Sequence, residues 1–274
     1  GSSIKPVNYA IGIDKHIVTA SHMFLDVPTC FANVGGPQVY CPKNYDGKFR
    51  GPVQLRMALG NSLNIPAVKM LYLNSVTDMV ASASAFGLNT ITDSSKYGLS
   101  LTLGGGEVHM TDMAEAFSVF ANSGLRRDLV SILKVKDKNG KVLDEYKDPN
   151  LHREIPSQLL IQGQRVISPE TAFIISHILL DNNARQDAFG SSSLLVIPNH
   201  AVSVKTGTTD DLRDNWTIGY TPQILVATWV GNNDNTPMNP SLVSGVTGAA
   251  PIWNKIIRKT LEGKPDIWPK QPED

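Results

Sequence analysis

Cysteine, charge and long apolar runs are all scarce in this sequence. Of 274 residues only two are cysteine, aromatic residues make up 7%, and charged residues 18%, against about 25% in ordinary soluble proteins. The 25 Lys and Arg balance the 25 Asp and Glu, leaving a formal net charge of zero. Phosphate-backbone binding needs a basic excess, so nucleic acid is not an expected partner, and a charge-driven disordered chain is excluded as well. No apolar run approaches the ~18 residues that span a bilayer, and no stretch reads as a signal peptide. Cys30 and Cys41 lie in a loop rich in Gly, Pro and Asn with no paired histidines, which is not a zinc framework. They either form one disulfide in an oxidising compartment or stand as two separate thiols. Histidines 16, 22, 109, 152, 177 and 200 are scattered and form no H-E-x-x-H; His177, inside an apolar helix, reads as a core histidine. Gly104-Gly105-Gly106 lacks a following G-K-[ST], so it reads as a tight turn before a helix and not as a phosphate cradle. Trp216, Trp229 and Trp253 are spaced as sheet and helix core residues.

What the chain does contain is a globular composition, 41% hydrophobic with 22 glycines, and enough length to bury a substantial core in one large domain or two small ones. Residues 1–20 read as a short helix, and a long loop follows from Ser21 to Gly51. Helical periodicity resumes at Val53–Leu59 and Ala67–Leu73, with Pro66 marking a break. Thr77 is the expected cap of a helix over Asp78–Phe86 that stops at Gly87. Thr111 is the expected cap of another, with Met113, Ala116, Phe117 and Phe120 on one face. Leu129–Val135 and Val142–Tyr146 flank Asn139-Gly140 as a hairpin. Ser168-Pro169-Glu170 opens a helix running to Leu180. Val202–Thr208, Trp216–Tyr220 and Ile224–Val230 read as strands, and Ala250–Leu261 as a final helix before a Pro-rich tail. Helices in the middle and strands at the end predict an α+β or three-layer arrangement.

Three short motifs carry chemistry, in order: Ser2-Ser3-Ile4-Lys5, Ser62-Leu63-Asn64 and Lys205-Thr206-Gly207-Thr208. A second S-x-x-K, Ser131–Lys134, lies in a strand pattern and follows the S-x-N, the wrong order. Ser2 and Lys5, three apart at a helix start, share one face. A serine hydroxyl attacks only once a base removes its proton, and lysine serves as base only when neutral. A helix N-terminus, a desolvated pocket and a second cation, Lys205, would all lower the lysine's proton affinity. One lysine is then the base and the other an anion anchor. Ser62 and Asn64, in a turn between helical stretches, point into one cleft; the serine relays a proton to a leaving amine and the asparagine amide donates to a substrate carbonyl. On the strand, Lys205 and Gly207 share one face and Thr206 and Thr208 the other. Gly207 is expected to let substrate backbone approach, and a peptide is expected to pair with the strand edge. The N–H groups of Thr208 and Ser2 are expected to form an oxyanion hole.

With these residues in place, the chain resembles the transpeptidase domain of class A, bifunctional penicillin-binding proteins. The likeness extends through Asn44-Tyr45-Asp46-Gly47, Ala58–Lys69, Leu99–Gly124, Lys205–Asn232 and Ala249–Ile257. It implies an α+β fold of the serine β-lactamase/D,D-peptidase type, with an antiparallel sheet packed with helices. Residues 1–264 would form the domain and 265–274 a tail. It also implies a D,D-transpeptidase acting on peptidoglycan stem peptides that end in D-Ala-D-Ala, without a cofactor or metal, and acylated by β-lactams. Ser2 would be the nucleophile and Lys5 its base. Ser62 and Asn64 would support proton transfer and orientation, and Lys205, Thr206, Gly207 and Thr208 would bind substrate. Family members carry N-terminal strands, a glycosyltransferase domain and a membrane anchor ahead of the serine. The resemblance therefore implies an extracytoplasmic piece of a longer protein whose sheet lacks neighbouring strands, and which is expected to fold poorly alone. A D,D-carboxypeptidase or β-lactamase-like hydrolase, and an inactive binding module, are the alternatives. Glu107, beside the glycine turn, is not assigned the deacylating role that a β-lactamase would need.

Overall fold

A computed structural model describes residues 1–32, 39–147, 163–209, 212–239 and 246–273; Gly35-Gly36-Pro37 and His152 lie outside them. The first helix is shorter than the sequence suggests. Ser2–Ile4 forms a 3-10 turn that feeds α1 (Lys5–Asp14), with Pro6 in its opening turn. The stretch read as one loop contains β1 (Met23–Asp26), which pairs antiparallel with β2 (Gly51–Gln54) in the register Met23↔Gln54 to Asp26↔Gly51. β1 escapes notice because its pattern is inverted: Met23 and Leu25 are exposed while Asp26 is buried. Between the two strands, Cys30 and Cys41 form a disulfide beneath a bridge from Phe31 to Tyr40.

α2 (Leu55–Gly60) and α3 (Asn64–Asn74) follow. The break between them falls at Asn61–Leu63, and Pro66 is the third residue of α3. That position has no intrahelical acceptor for an N–H, so proline is accommodated there. α4 (Val76–Ala85) is capped by Ser75, whose Oγ accepts the N–H of Asp78 at 3.1 Å, and not by Thr77. The S-x-x-D spacing of a capping box points to Ser75. α5 (Met110–Ala121) starts after His109, two residues ahead of the expected cap at Thr111, and buries the four expected residues. Two-residue β3 (Leu125–Arg126) pairs with β6 (Gln164–Arg165), and β4 (Lys134–Lys136) pairs with β5 (Val142–Glu145) in the expected hairpin, shorter than read. α6 (Pro169–Leu180) begins as expected, Ser168 Oγ accepting the Thr171 N–H. It leads through a turn at Asn183–Arg185 into α7 (Gln186–Phe189).

β7 (Ser203–Thr208), β8 (Asp214–Tyr220) and β9 (Leu225–Gly231) form an antiparallel sheet in that order, with Lys205 opposite Ile218 and Trp216 opposite Trp229. One face packs on α8 (Ala249–Leu261) through Val204, Val226, Trp253 and Ile257. On the other, Trp216, Ile218 and Tyr220 join the larger core formed with Phe117, Ile175 and the residues of α1 and α3. Helices thus sandwich the sheet, the three-layer alternative. Trp216 and Trp253 are core residues, but Trp229 is 36% exposed on the outer strand and its indole N–H bonds Asp214. His177 is half-buried beside Arg56 at 3.2 Å and is no core residue. Residues 264–273 run without regular structure, tied back where Asp266 accepts the Ala201 N–H at 2.7 Å.

A buried polar lock fixes α1 against α3. Asn8, one turn beyond Lys5, donates to the Ala67 carbonyl and to Thr102, while Asn74 donates to the Asn8 carbonyl and side-chain oxygen, all within 2.9 Å. Desolvated amides left unpaired would each be costly, so these bonds hold the register of the two helices.

Candidate active site

Ser2, half-buried, opens the 3-10 turn, and Lys5 at the head of α1 is fully buried. The Lys5 ammonium donates to the Ser62 carbonyl and to Asn64 Oδ1, both at 2.6 Å, and lies 3.4 Å from Ser62 Oγ. From the far side, Lys205 Nζ donates to Ser62 Oγ at 2.8 Å and to the Thr206 carbonyl at 2.7 Å. Residues 57 and 143 positions away in sequence therefore meet at one serine. The structure brings all three motifs together, whereas Ser131 and Lys134 of the second S-x-x-K are exposed.

Ser62 is held by a helix ending. Its N–H bonds the Leu59 carbonyl, the Leu63 N–H reaches back to Ala58, and φ is +57°. This is the pairing of a Schellman C-cap with serine in the left-handed position usually taken by glycine. The turn lifts Ser62 out of α2 and hands the chain to α3, whose first residue is Asn64. Because an ammonium only donates, the Asn64 oxygen must face Lys5. Its NH2 points the other way and donates to the Lys43 carbonyl at 2.7 Å.

Asn44 completes this arrangement. α3 has no side-chain cap of its own, and Asn44 Oδ1 accepts the Asn64 N–H at 2.7 Å. The Asn44 NH2 is anchored at 2.9 Å on both oxygens of Asp26, which is fully buried and also accepts the Arg50 N–H. Asp26 and Asn44 are positioning residues that motif reasoning missed. Asn44 lay within the family-like stretch, but a buried Asp in β1 leaves no local signal.

The strand motif departs from expectation in one respect. A β-carbon on Gly207 would come 2.9 Å from the Ser3 nitrogen and 3.0 Å from Ser3 Oγ. The glycine thus admits the Ser2–Ile4 turn, and substrate is not what it makes room for. Gly1 approaches the next residue as closely: its β-carbon would fall 2.9 Å from the Thr208 nitrogen. The carbonyl of Thr206 is turned to Lys205, away from β8, so the two-residue strand period aims the Thr208 backbone at the same edge, beside Ser2.

Electrostatics distinguish the lysines' surroundings. Burial, and then the nearby positive Arg185, lower the Lys205 ammonium from its usual 10.5 to about 7. The second cation anticipated beside the Ser2 base is present, but Lys205 itself feels a third one that the sequence did not reveal. Arg185 ends a short 3-10 turn without a motif, and nothing in the sequence marks it.

A family model described as the penicillin binding protein transpeptidase domain matches residues 1–258. Penicillin-binding protein 1A of Neisseria lactamica is 32% identical over 277 residues, covering 100% of this chain and 32% of that protein. Penicillin-binding protein 1A of Clostridium acetobutylicum is 34% identical over 268 residues, covering 94% and 30%. The chain thus spans about a third of the length of these relatives. Among solved structures, penicillin-binding protein 1A from Haemophilus influenzae superposes with a TM-score of 0.81 at 26% identity, over 100% of this chain and 43% of the other. The PonA1 protein from Mycobacterium tuberculosis in complex with penicillin V shares the fold, with a TM-score of 0.79 at 20% identity, over 100% and 72%. By sequence over nearly its whole length, and by fold, the chain belongs to the penicillin-binding protein transpeptidase domain family.

Proposed function

We propose that this chain is the D,D-transpeptidase module of a class A penicillin-binding protein, with Ser2 as the acylated nucleophile. The observation that carries this reading is the convergence of Lys5 and Lys205 on Ser62 Oγ, with Asn64 on Lys5. Lys5, when neutral, takes the Ser2 hydroxyl proton as Oγ bonds the carbonyl carbon of the penultimate D-Ala. The oxyanion is stabilised by the N–H groups of Ser2 and Thr208, each such donor being worth about 3 kcal/mol. Ser62 delivers a proton to the departing amine of the terminal D-Ala, and Asn64 orients the substrate carbonyl. Lys205, Thr206 and Thr208 receive the terminal carboxylate, while Gly207 acts indirectly by seating the Ser2–Ile4 turn. An amine of a neighbouring stem peptide then displaces Ser2 and forms the cross-link. A β-lactam follows the same first step, but its amine stays tethered and the ester persists. The Cys30–Cys41 disulfide supports an extracytoplasmic site, where such bonds persist. The chain spans 32% of the length of such a relative, which supports a longer protein; the glycosyltransferase domain and membrane anchor are what the class A resemblance assigns to the remainder.

Labelling with a fluorescent penicillin followed by intact-mass analysis tests the reading. One long-lived adduct is expected on the wild type and none on Ser2→Ala. Label that survives Ser2→Ala would overturn the assignment of the nucleophile. Rapid release from the wild type would favour the hydrolase, and no label at all the inactive module.

A further inference from the structure

Behind the site lies a buried arginine that no motif accounts for. Arg185 is 4% exposed, and among the described residues its Nε has no hydrogen-bond partner and no carboxylate pairs with it. Asp181 is the acid whose charge reaches it, but that carboxylate is bridged to Arg56 at 3.1 Å. A desolvated guanidinium without a counter-charge is costly, and arginine does not relieve the cost by losing its proton.

Its placement is built from both sides of the site. The preceding residue packs on α2: a β-carbon on Gly60 would fall 2.4 Å from the Ala184 carbonyl oxygen, so only glycine admits this turn. Asn61 clamps it, donating to the Ala184 carbonyl at 2.9 Å and accepting the Ala188 N–H at 3.0 Å. Asn61 adjoins Ser62. On the other side, Arg185 Nη1 lies 3.5 Å from the carbonyl of Val204, which adjoins Lys205. The turn is thereby fastened next to both members of the Lys205–Ser62 hydrogen bond.

We propose that Arg185 is a positioning residue that drives one proton off the Lys5–Ser62–Lys205 chain by holding an uncompensated positive charge behind Lys205. This deepens, and rests on, the acyl-transfer reading. Among the described residues, the charged groups around Lys205 are Lys5 on α1, reached through Ser62, Arg185 from its turn, and Asp181 acting through Arg185. With both lysines protonated, neither takes the Ser2 proton. Once Lys205 is neutral, the Ser62 hydroxyl gives its proton to Lys205 Nζ and accepts one from Lys5. The lone pair then stands on Lys5, and the total proton count is unchanged. Burial and Arg185 together place this loss near pH 7.

The test is the pH dependence of the acylation rate with a fluorescent penicillin. The wild type is expected to show an acid limb centred near 7. In Arg185→Gln the limb moves about one pH unit alkaline, as expected for one charge at short range in protein. The rate at pH 7 then falls about fivefold and rejoins the wild type above about pH 9.5. Arg185→Lys, which keeps the charge, retains the wild-type midpoint. A variant slowed equally at every pH, with its midpoint unmoved, would show that Arg185 only packs the turn and would sink the proposal. In that outcome Ser2 is still labelled, so the acyl-transfer reading survives; absence of label on the wild type would instead remove that reading. Arg185→Met serves if the glutamine variant does not fold. Should neither fold, NMR titration of the wild type labelled at lysine Cε decides: a resonance titrating near 7 that is missing from Lys205→Met supports the proposal. Finding every lysine protonated to about pH 9 overturns it.

Discussion

Asn44 caps, from outside, the helix that Asn64 begins: its side-chain oxygen accepts the Asn64 N–H at 2.7 Å, while its NH2 group grips the buried carboxylate of Asp26. The orientation of the second motif therefore depends on a residue twenty positions upstream. Asp26 is held in turn by the β1–β2 pairing, through which one strand fixes both the cap and the approach of the disulfide loop.

Asn44→Ala removes this link. It uncaps α3 and takes the Asn44 amide from both oxygens of the buried Asp26 carboxylate, leaving it the Arg50 N–H. The expected loss of stability is about 2 kcal/mol or more. Because Asn64 bonds Lys5, acylation by penicillin should fall ~10- to 100-fold even at temperatures where the variant is fully folded. A thermal melt combined with labelling kinetics reads both, and normal kinetics in a destabilised variant would refute the positioning role.

How much of this was legible depends on the range of the forces involved. The sheet strands, α6 with its Ser168 cap, and α8 were readable because periodicity and capping are local. The three motifs were readable because their order is a property of the chain, and the structure gathers them at Ser62. β1 is hidden in the sequence because Asp26 is buried and Leu25 exposed, an inversion explained by partners far along the chain, Asn44 eighteen residues later and the Arg50 N–H. The sequence leaves the pairing of Cys30 and Cys41 undecided, because two cysteines in a loop are consistent with either state until the Phe31–Tyr40 bridge joins the loop's arms. From its motif Gly207 reads as facing substrate, because sequence cannot say which of two layers meets a strand face. Arg185 left no trace, since its effect lies in what fails to neutralise it.

Ser62 stands at φ +57°, a conformation that costs a residue with a β-carbon about 1 kcal/mol and glycine almost nothing. Ser62→Ala and Ser62→Gly both delete the hydroxyl between the lysines, so both should lose acylation to a similar extent. They should differ in stability, the glycine variant melting higher by the equivalent of about 1 kcal/mol. Equal melting temperatures would mean that the left-handed turn relaxes once the hydroxyl is gone and that the lysines, not the helix ending, hold it there.

The lowered proton affinity of Lys205 makes stability depend on pH, with a sign that can be worked out. In the unfolded chain the ammonium has its ordinary value of 10.5, and in the folded chain about 7. Between these values the unfolded state binds more protons, so unfolding becomes harder as pH rises; below about 7 both states are charged and the full cost of the buried cation is felt. Lys205→Met removes this contribution along with two hydrogen bonds, whose loss does not depend on pH in the same way. The stability of the wild type relative to Lys205→Met should therefore climb by up to about 1.4 kcal/mol per pH unit between about pH 7.5 and 9.5. Lysines away from Ser62 are common to both proteins and drop out of the difference, while Lys5 shares the Ser62 hydroxyl with Lys205 and belongs to the same titration. Denaturant unfolding of the pair at several pH values measures the slope directly. A flat difference would mean that Lys205 keeps its proton when folded, and that the site finds its neutral base without giving up the charge behind Ser62.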